Sequence, residues 1–166
     1  MIKNRFLSLS VIILVYAVAI AGGLSLYNYL EQAGWFSYPV SLLLADIFAT
    51  VIVFIFSLIF ANASVYDPYW SVQPPVILGV VLIKCGGSFF AWSVFAAVLL
   101  WGLRLTANWV YNFKSFEYQD WRYTMLHEKT GAFYPIINFV GIHMVPTLVV
   151  YGCILPAVYA VREGLS

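Results

Sequence analysis

The stretch from Phe6 to Tyr29 reads FLSLSVIILVYAVAIAGGLSLYNY and contains no charged residue. About 20 apolar residues are enough for a helix to span the hydrocarbon core of a bilayer, so this stretch predicts a transmembrane helix. The whole chain has the same character, because 63% of its 166 residues are hydrophobic and 9% are charged. A soluble domain carries about 25% charged residues. The composition therefore predicts an all-α, polytopic transmembrane helical bundle. It excludes an ordinary soluble enzyme, a disordered chain and a nucleic-acid-binding protein.

Four further segments complete the predicted topology. Three of them are long and apolar, and each carries one ionisable residue: Tyr38 to Ala61 with Asp46, Ser88 to Asn112 with Arg104, and Phe133 to Val161 with His143. The last segment also contains Pro146 and Pro156, which are expected to kink it. The remaining segment, Pro75 to Ile83, is the third along the chain. It is short, and short apolar runs are often re-entrant.

Basic residues orient the bundle and bear on whether the short segment spans. Lys3 and Arg5 precede the first helix and place the N-terminus inside. The loop 113–132 carries Lys114, Arg122 and Lys129 and is also predicted to lie inside. An even number of crossings must then separate residues 61 and 113, so we predict five spans. Four spans with a re-entrant hairpin is the alternative. We expect the protein to be embedded in a lipid bilayer. The absence of retention and transit signals favours a bacterial plasma membrane.

One connection between the predicted helices is unusually polar and aromatic. It runs from Asn62 to Pro75 and reads NASVYDPYWSVQPP. Asp67 followed by Pro68 is typical of a turn, because aspartate caps locally and proline fixes φ. The residues alone leave two interpretations open, a helix cap with an aromatic anchor or a polar mouth that lines a pocket.

A second polar feature lies on the predicted fourth span. Arg104, Asn108 and Asn112 follow at intervals of four residues and so share one face of a helix. A polar group that faces lipid is energetically costly, so this face is predicted to point into protein or water. The residues leave two interpretations open: the face takes part in a polar network between helices, or it belongs to a ligand or cofactor site. A third alternative joins Arg104 with the intramembrane Asp46 and His143 around a water path for proton handling.

The inner loop contains the cluster EYQDWRY from Glu117 to Tyr123. Asp120 and Arg122 lie on either side of a tryptophan, and we expect them to pair with Arg104 or with a phosphate, which the planar guanidinium binds well. No spacing of His, Cys, Asp and Glu resembles a metal site, so no metal is predicted.

Three motifs together resemble a known family. They are Asn62 with Asp67-Pro68-x-Trp70-Ser71, the run Trp101-Gly-Leu-Arg-Leu-Thr-x-Asn108, and Asp120-Trp-Arg-Tyr123. The order and spacing resemble a poorly characterised branch of multi-pass membrane proteins related to the steroid 5-alpha reductases and, more distantly, to the isoprenylcysteine carboxyl methyltransferases. The resemblance implies a helical membrane fold that uses NADPH to reduce a carbon–carbon double bond conjugated to a carbonyl, in a steroid or other hydrophobic lipid.

The resemblance also implies roles for the matching residues. It places four on the cofactor side: Arg104, Asn108, Asp120 and Arg122. It places four at the mouth of the substrate pocket: Asn62, Asp67, Trp70 and Ser71. Either Tyr66 or Tyr123 would act as the acid that polarises the substrate carbonyl. Replacing Arg104 with alanine is then expected to abolish cofactor binding.

The chain departs from that family in one respect. Members carry an Asn-Tyr-x-Gly-Glu-like stretch in further helices that supplies most of the cofactor site, and the sequence contains none. We therefore expect residues 1–166 to form a single transmembrane domain, the N-terminal part of a longer fold, and to be inactive alone. The open alternatives are a site completed by a second chain or a homo-oligomer, a non-catalytic membrane protein, and a lipid methyltransferase-like member.

Overall fold

A computed structural model describes residues 2–163, which form a helical bundle. The helices are α1 (Arg5–Ala33), α2 (Tyr38–Ile59), α3 (Tyr69–Cys85), α4 (Phe89–Asn112), α5 (Trp121–Thr130), α6 (Tyr134–Ile137) and α7 (Val145–Arg162). Four helical stretches are long and apolar enough to cross a membrane, namely α1, α2, α4 and the nearly continuous stretch Trp121–Arg162. The prediction of an all-α, multi-pass membrane protein is confirmed.

Contacts at the two ends of the bundle show how α3 runs. Lys84 in the last turn of α3 pairs with Glu31 in the last turn of α1. At the opposite end, Arg5 Nη2 donates to the Val110 carbonyl at 2.7 Å, which joins the start of α1 to the end of α4. Successive long helices therefore alternate in direction. With 17 residues α3 is about 26 Å long and runs between these two ends. It is not among the four stretches that are long and apolar enough to cross a membrane, so the fifth span stays a prediction.

The short third segment begins six residues earlier than predicted, at Tyr69 instead of Pro75. Proline is usual in the first turn of a helix, but here Pro75 lies inside and lacks the N–H that would pair with the Ser71 carbonyl. Helix α4 approaches that carbonyl at Gly102, where an added Cβ would lie 2.5 Å from the Ser71 oxygen. The glycine therefore allows α4 to pack closely on the beginning of α3.

Small residues bring α1 and α2 together in the same way. A Cβ on Gly23 would lie 3.1 Å from the Ala45 carbonyl oxygen and 3.2 Å from the Ala49 Cβ. Close backbone approach at small residues is a common means of helix association in membranes, where apolar side chains gain little by leaving lipid. This contact places Asp46 of α2 in the interior, where its side chain is 5% exposed.

The last pass is irregular next to the first of its two prolines. Residues Asn138–Met144 form a π-helix immediately before α7, and Pro146 is the second residue of α7. Pro146 has no N–H to offer the carbonyl four residues earlier, and a wider turn relieves this mismatch. Pro156 lies inside α7 without interrupting it.

An aromatic core holds two connections, 60–68 and 113–120, against α1. We call them the inner connections, and their end of the bundle the inner end, after the orientation that the basic residues predict. Phe60 stacks on Phe116 with ring centroids 4.6 Å apart. Tyr16 of α1 donates from its hydroxyl to the Val65 carbonyl at 2.6 Å. Because both connections pack on the same core, their polar residues meet at the inner end of the bundle.

Candidate functional site

A polar cavity of about 570 Å³ opens at the inner end of the bundle, between the start of α3, the end of α4 and the start of α5. We call it the inner-end cavity. Its lining is Ser64, Asp67, Trp70, Ser71, Leu105, Asn108, Trp109, Asn112, Phe113, Lys114, Tyr118, Gln119, Asp120, Arg122 and Tyr123. Its size falls in the range of small-molecule sites, about 300–1,000 Å³.

The structure brings together most of the residues that the sequence singles out. The inner-end cavity contains Asp67, Trp70, Ser71, Asn108, Asp120, Arg122 and Tyr123. Three others do not line it, namely Asn62, Tyr66 and Arg104. The three sequence motifs thus meet at one place, although they lie up to 60 residues apart along the chain.

Asp67 and Tyr123 form a polar contact in the wall of this cavity. Tyr123 Oη donates to Asp67 Oδ1 at 2.5 Å. Burial raises the pKa of Asp67 to about 6, from an ordinary value of 3.8, and the bond from Tyr123 only partly opposes this rise. The Asp67 carboxyl can therefore gain and lose a proton near neutral pH, in direct contact with a phenol that faces the cavity.

Asp120 and Arg122 pair with each other at the start of α5. Asp120 caps the helix by accepting from the Arg122 N–H at 2.9 Å, and it accepts from Arg122 Nε and Nη2, both at 2.8 Å. These bonds hold the pKa of Asp120 below its ordinary value. The expected pairing with Arg104 is wrong, because the neighbouring guanidinium takes both carboxylate oxygens. Arg122 remains largely exposed at the cavity rim.

Helix α4 presents amides to the cavity rather than a charge. Asn108 and Asn112 line it, together with Leu105 and Trp109. Asn112 Nδ2 also donates to the Asn108 carbonyl at 2.8 Å. Arg104 is exposed on the outer surface of the helix, outside this lining. The polar stripe therefore contributes its asparagines to the cavity, and its arginine lies beside it.

Trp70 and Ser71 belong to the first turn of α3, where α4 packs against it. Ser71 Oγ donates to the Pro68 carbonyl at 2.8 Å and lies 2.9 Å from Thr106 Oγ1 of α4. Trp70 meets Trp101 edge to face, with centroids 6.0 Å apart. These contacts fix the part of the cavity wall where the start of α3 meets α4.

Asn62 has a structural position behind the cavity. It is 2% exposed. Its amide donates to the carbonyls of Phe116 and Tyr118 at 3.0 and 3.2 Å, and its oxygen accepts from the Ser64 N–H at 2.9 Å. Asn62 therefore ties the connection after α2 to the connection after α4. It also borders a separate cavity of about 330 Å³ that contains His127 and Asn138.

Tyr66 lies in the interior and does not reach the cavity. Its hydroxyl is 2.8 Å from Thr147 Oγ1, which is 3.0 Å from Thr50 Oγ1. Its ring packs on His143, with centroids 4.6 Å apart. Burial raises the pKa of Tyr66 above its ordinary value. Of the two tyrosines considered as acids, only Tyr123 faces the inner-end cavity.

The proposed proton-handling trio is not assembled. Asp46 and His143 are buried, with 5% and 0% exposure, whereas Arg104 lies on the outside of α4. Within residues 2–163, no three His, Cys, Asp or Glu side chains come together in a way that could hold a metal ion.

Some residues of the site were not singled out from the sequence. Gln119 lines the cavity and accepts from the Ala63 N–H at 2.9 Å through its Oε1. The sequence could have indicated Gln119 as a site residue, because it lies inside the polar and aromatic cluster from Glu117 to Tyr123. Thr147 bonds Tyr66 and Thr50 bonds Thr147 in the interior, and neither threonine lines the cavity. No feature of the sequence indicates them, because hydroxyl residues inside membrane helices commonly bond their own backbone.

The chain matches a family described as "Protein of unknown function (DUF1295)" over residues 53–164. The matched region contains every residue of the inner-end cavity. No curated protein matches the chain. No solved structure matches it either.

Proposed function

The chain belongs to the DUF1295 family, whose function is unknown, and we propose that it takes part in the NADPH-dependent reduction of a conjugated carbon–carbon double bond in a steroid or other lipid enone. The observation that carries the proposal is the convergence of seven motif residues on one cavity. They are Asp67, Trp70, Ser71, Asn108, Asp120, Arg122 and Tyr123. The cavity is bordered by α4, a membrane-crossing helix, so an apolar substrate can approach it from the bilayer.

The lining fits the nicotinamide–ribose end of NADPH better than the phosphates. The side-chain amides of Asn108 and Gln119 can bind a carboxamide and ribose hydroxyls. The lining cations are Lys114 and Arg122, and Arg122 is already bonded to Asp120. We therefore include in the proposal that a second copy of the chain supplies further cations for the phosphates.

The chain's own chemistry would be proton transfer at the substrate carbonyl. When bound, NADPH would supply the hydride, with its two electrons, for the β-carbon of the enone. Tyr123 Oη would give a proton to the carbonyl oxygen, and Asp67 Oδ1, which is 2.5 Å away, would return a proton to Tyr123. The resulting enol becomes the saturated ketone when water protonates the α-carbon and the oxygen releases its proton.

The proton path makes a prediction about pH. Asp67 must be protonated before it can return a proton to Tyr123, and its pKa is about 6. A turnover limited by this step should therefore fall as the pH rises above 6, and Asp67→Asn should remove this dependence together with most of the rate. This pH dependence would distinguish Tyr123 from Tyr66 as the acid, because the Tyr66 hydroxyl is bonded to Thr147 and not to a carboxyl group.

Binding of the nicotinamide end tests the site without a partner chain. Trp70 and Trp109 line the cavity, so energy transfer from tryptophan should report reduced nicotinamide mononucleotide bound to the purified chain in lipid nanodiscs. Asn108→Leu removes an amide of the lining and should weaken binding about tenfold, as expected for loss of about 1.4 kcal/mol. The matched control is Lys129→Ala, an exposed α5 residue outside the lining.

Two results would count against the proposal. One is the absence of a saturable signal at millimolar mononucleotide. The other is equal weakening by Asn108→Leu and Lys129→Ala, which would mean that the ligand does not contact this cavity. Displacement by S-adenosylmethionine at lower concentration than the mononucleotide would instead favour a methyltransferase.

A further inference from the structure

A second space lies between α4 and α7, nearer the middle of the bundle than the inner-end cavity. We call it the α4–α7 crevice. Its volume is about 400 Å³, within the range of about 300–1,000 Å³ that small-molecule sites have. Its lining is Pro74, Ala97, Val98, Trp101, Val150, Cys153 and Ile154. Hydrocarbon makes up most of these side chains, so the crevice offers room for an apolar group and few hydrogen bonds.

The crevice exists because two helices pack on a common support without closing on each other. Both α4 and α7 pack extensively on α3, whereas they contact each other little. Pro74 of α3 is buried and forms the floor of the gap between them. The walls include two small, exposed side chains, those of Ala97 on α4 and Cys153 on α7. The crevice is therefore open along one side to the lipid.

The α4–α7 crevice lies on the same face of α4 as the inner-end cavity. Ala97, Trp101, Leu105 and Asn108 follow at intervals of four, four and three residues, so their side chains form one stripe. The first two line the crevice, and the last two line the cavity. Where the two spaces adjoin, Trp101 meets Trp70 of the cavity edge to face, with ring centroids 6.0 Å apart. Trp101 is 40% exposed, so a ligand that lies along the stripe can pass over its ring.

Polarity changes along this stripe from one space to the next. The inner-end cavity presents amides, carboxyl groups, a phenol and a guanidinium, whereas the crevice presents hydrocarbon. From Asn108 to Ala97 the helix rises about 16 Å, at about 1.5 Å per residue. A long apolar chain or a body of four fused rings can lie along that distance. The two spaces together fit an elongated molecule with a polar group at its inner end.

We propose that the α4–α7 crevice binds the apolar body of the lipid enone, while the enone carbonyl lies beside Asn108 and Tyr123 in the inner-end cavity. The inference rests on the proposed function for the position of the carbonyl. Apolar groups gain little by leaving lipid, so the carbonyl supplies the recognition and the crevice sets the direction of the bound molecule. The substrate class is thereby narrowed to enones whose carbonyl lies at one end of an elongated apolar body.

Photolabelling in lipid nanodiscs tests this placement without NADPH. The probe is a steroid 4-en-3-one with a diazirine at the end opposite the ketone, and the matched probe is the same steroid without the ketone oxygen. Mass spectrometry should find the ketone probe on Val150 and Cys153 about fivefold more often than the deoxygenated probe, as expected for one hydrogen bond to the carbonyl.

Variants that fill the crevice should abolish this preference. Ala97→Trp places a large ring in the crevice. Ala96→Trp makes the same change at the adjacent exposed residue, outside the lining, and should leave the labelling unchanged. If Ala97→Trp fails to fold, Cys153→Phe fills the crevice from α7, and the labelling is then measured at Val150. Its control is Val149→Phe, at a residue that is 58% exposed and does not line the crevice.

Two results would overturn the inference. Equal labelling by both probes in the unaltered chain would mean that the crevice contacts surrounding lipid without any recognition of the carbonyl. The same labelling in Ala97→Trp and Ala96→Trp would mean that the apolar body lies outside the crevice.

The proposed function is judged separately from this labelling. Labelling as expected, without any reduction of the enone, would contradict the reductase and leave the crevice as part of a binding site for a ketone-bearing lipid. Reduction of the enone without labelling of the crevice would contradict only the placement of the apolar body.

Discussion

The Asp67 carboxyl should make the protein less stable as the pH rises. Its pKa in the folded chain is about 6, raised from 3.8 by burial. Between these two values the folded chain holds a proton on Asp67 that the unfolded chain has lost. Stability from this group is therefore fully present below about pH 4 and is lost as the pH rises through 6. A shift of roughly two units, at about 1.4 kcal/mol per unit, corresponds to about 3 kcal/mol.

Asp67→Asn removes this titration and keeps an oxygen that can accept from Tyr123. At pH 8 the variant should be more stable than the unaltered chain by up to about 3 kcal/mol, and the advantage should disappear by pH 4. The assay is unfolding of the purified protein in mixed micelles by increasing mole fraction of dodecyl sulfate, followed by tryptophan fluorescence, at both pH values.

Asp120→Asn is the matched control, because its sign is opposite. The Asp120 pKa is lowered by Arg122, so this carboxylate adds stability above its ordinary pKa and loses it as the pH falls. The asparagine should therefore be the less stable protein at pH 8. The reasoning would be refuted if the difference in stability between Asp67→Asn and the unaltered chain were the same at pH 4 and at pH 8. Burial would then not be raising the pKa of Asp67.

Three further substitutions follow from the packing. Gly102→Ala should destabilise the bundle by about 1–3 kcal/mol and reduce the fraction of expressed protein that is folded, because the alanine Cβ would lie 2.5 Å from the Ser71 oxygen. An unchanged yield of folded protein and an unchanged unfolding curve would contradict the close approach of α4 to α3. Asn62→Ala should lower the unfolding temperature in detergent, because it leaves the buried Phe116 carbonyl without its donor, at about 1–3 kcal/mol. The part-buried Tyr118 carbonyl also loses its donor, and Asn62→Asp should restore neither bond. Arg104→Ala should change the dissociation constant of the mononucleotide by less than about twofold, or under 0.5 kcal/mol, because Arg104 does not line the cavity. A loss of affinity as large as that of Asn108→Leu would mean that Arg104 reaches the cavity.

The membrane fold follows from composition to a large extent. Apolar runs predicted α1, α2 and α4 within a few residues of their observed limits, whereas the last run, predicted from Phe133 to Val161, belongs to a helical stretch that begins at Trp121. The basic residues add a fifth span, which stays a prediction. Helix α3 begins six residues before the predicted Pro75, because this proline lies inside the helix rather than in its first turn. Gly102 of α4 approaches the Ser71 carbonyl, which Pro75 cannot bond, and nothing near Pro75 in the sequence indicates that contact.

The candidate site was predictable in its parts but not in its contacts. Spacing showed that Arg104 and Asn108 share a helix face, yet the cavity side of α4 is centred on Leu105, Asn108 and Trp109. A period of 3.6 residues identifies neighbours on a face and leaves open which edge points inward. The bond between Asp67 and Tyr123 joins residues 56 positions apart, so it depends on tertiary packing that local sequence patterns do not show.

The proposed reduction itself is tested most directly by following the hydride. Membranes from cells that overproduce the full chain are incubated with NADPH deuterated at the transferable position and with a steroid 4-en-3-one. The account predicts a saturated ketone that carries one deuterium at the β-carbon, and it predicts that Tyr123→Phe loses this product while Tyr66→Phe retains it. Recovery of unreduced enone, or equal deuterium incorporation with Tyr123→Phe, would contradict the account.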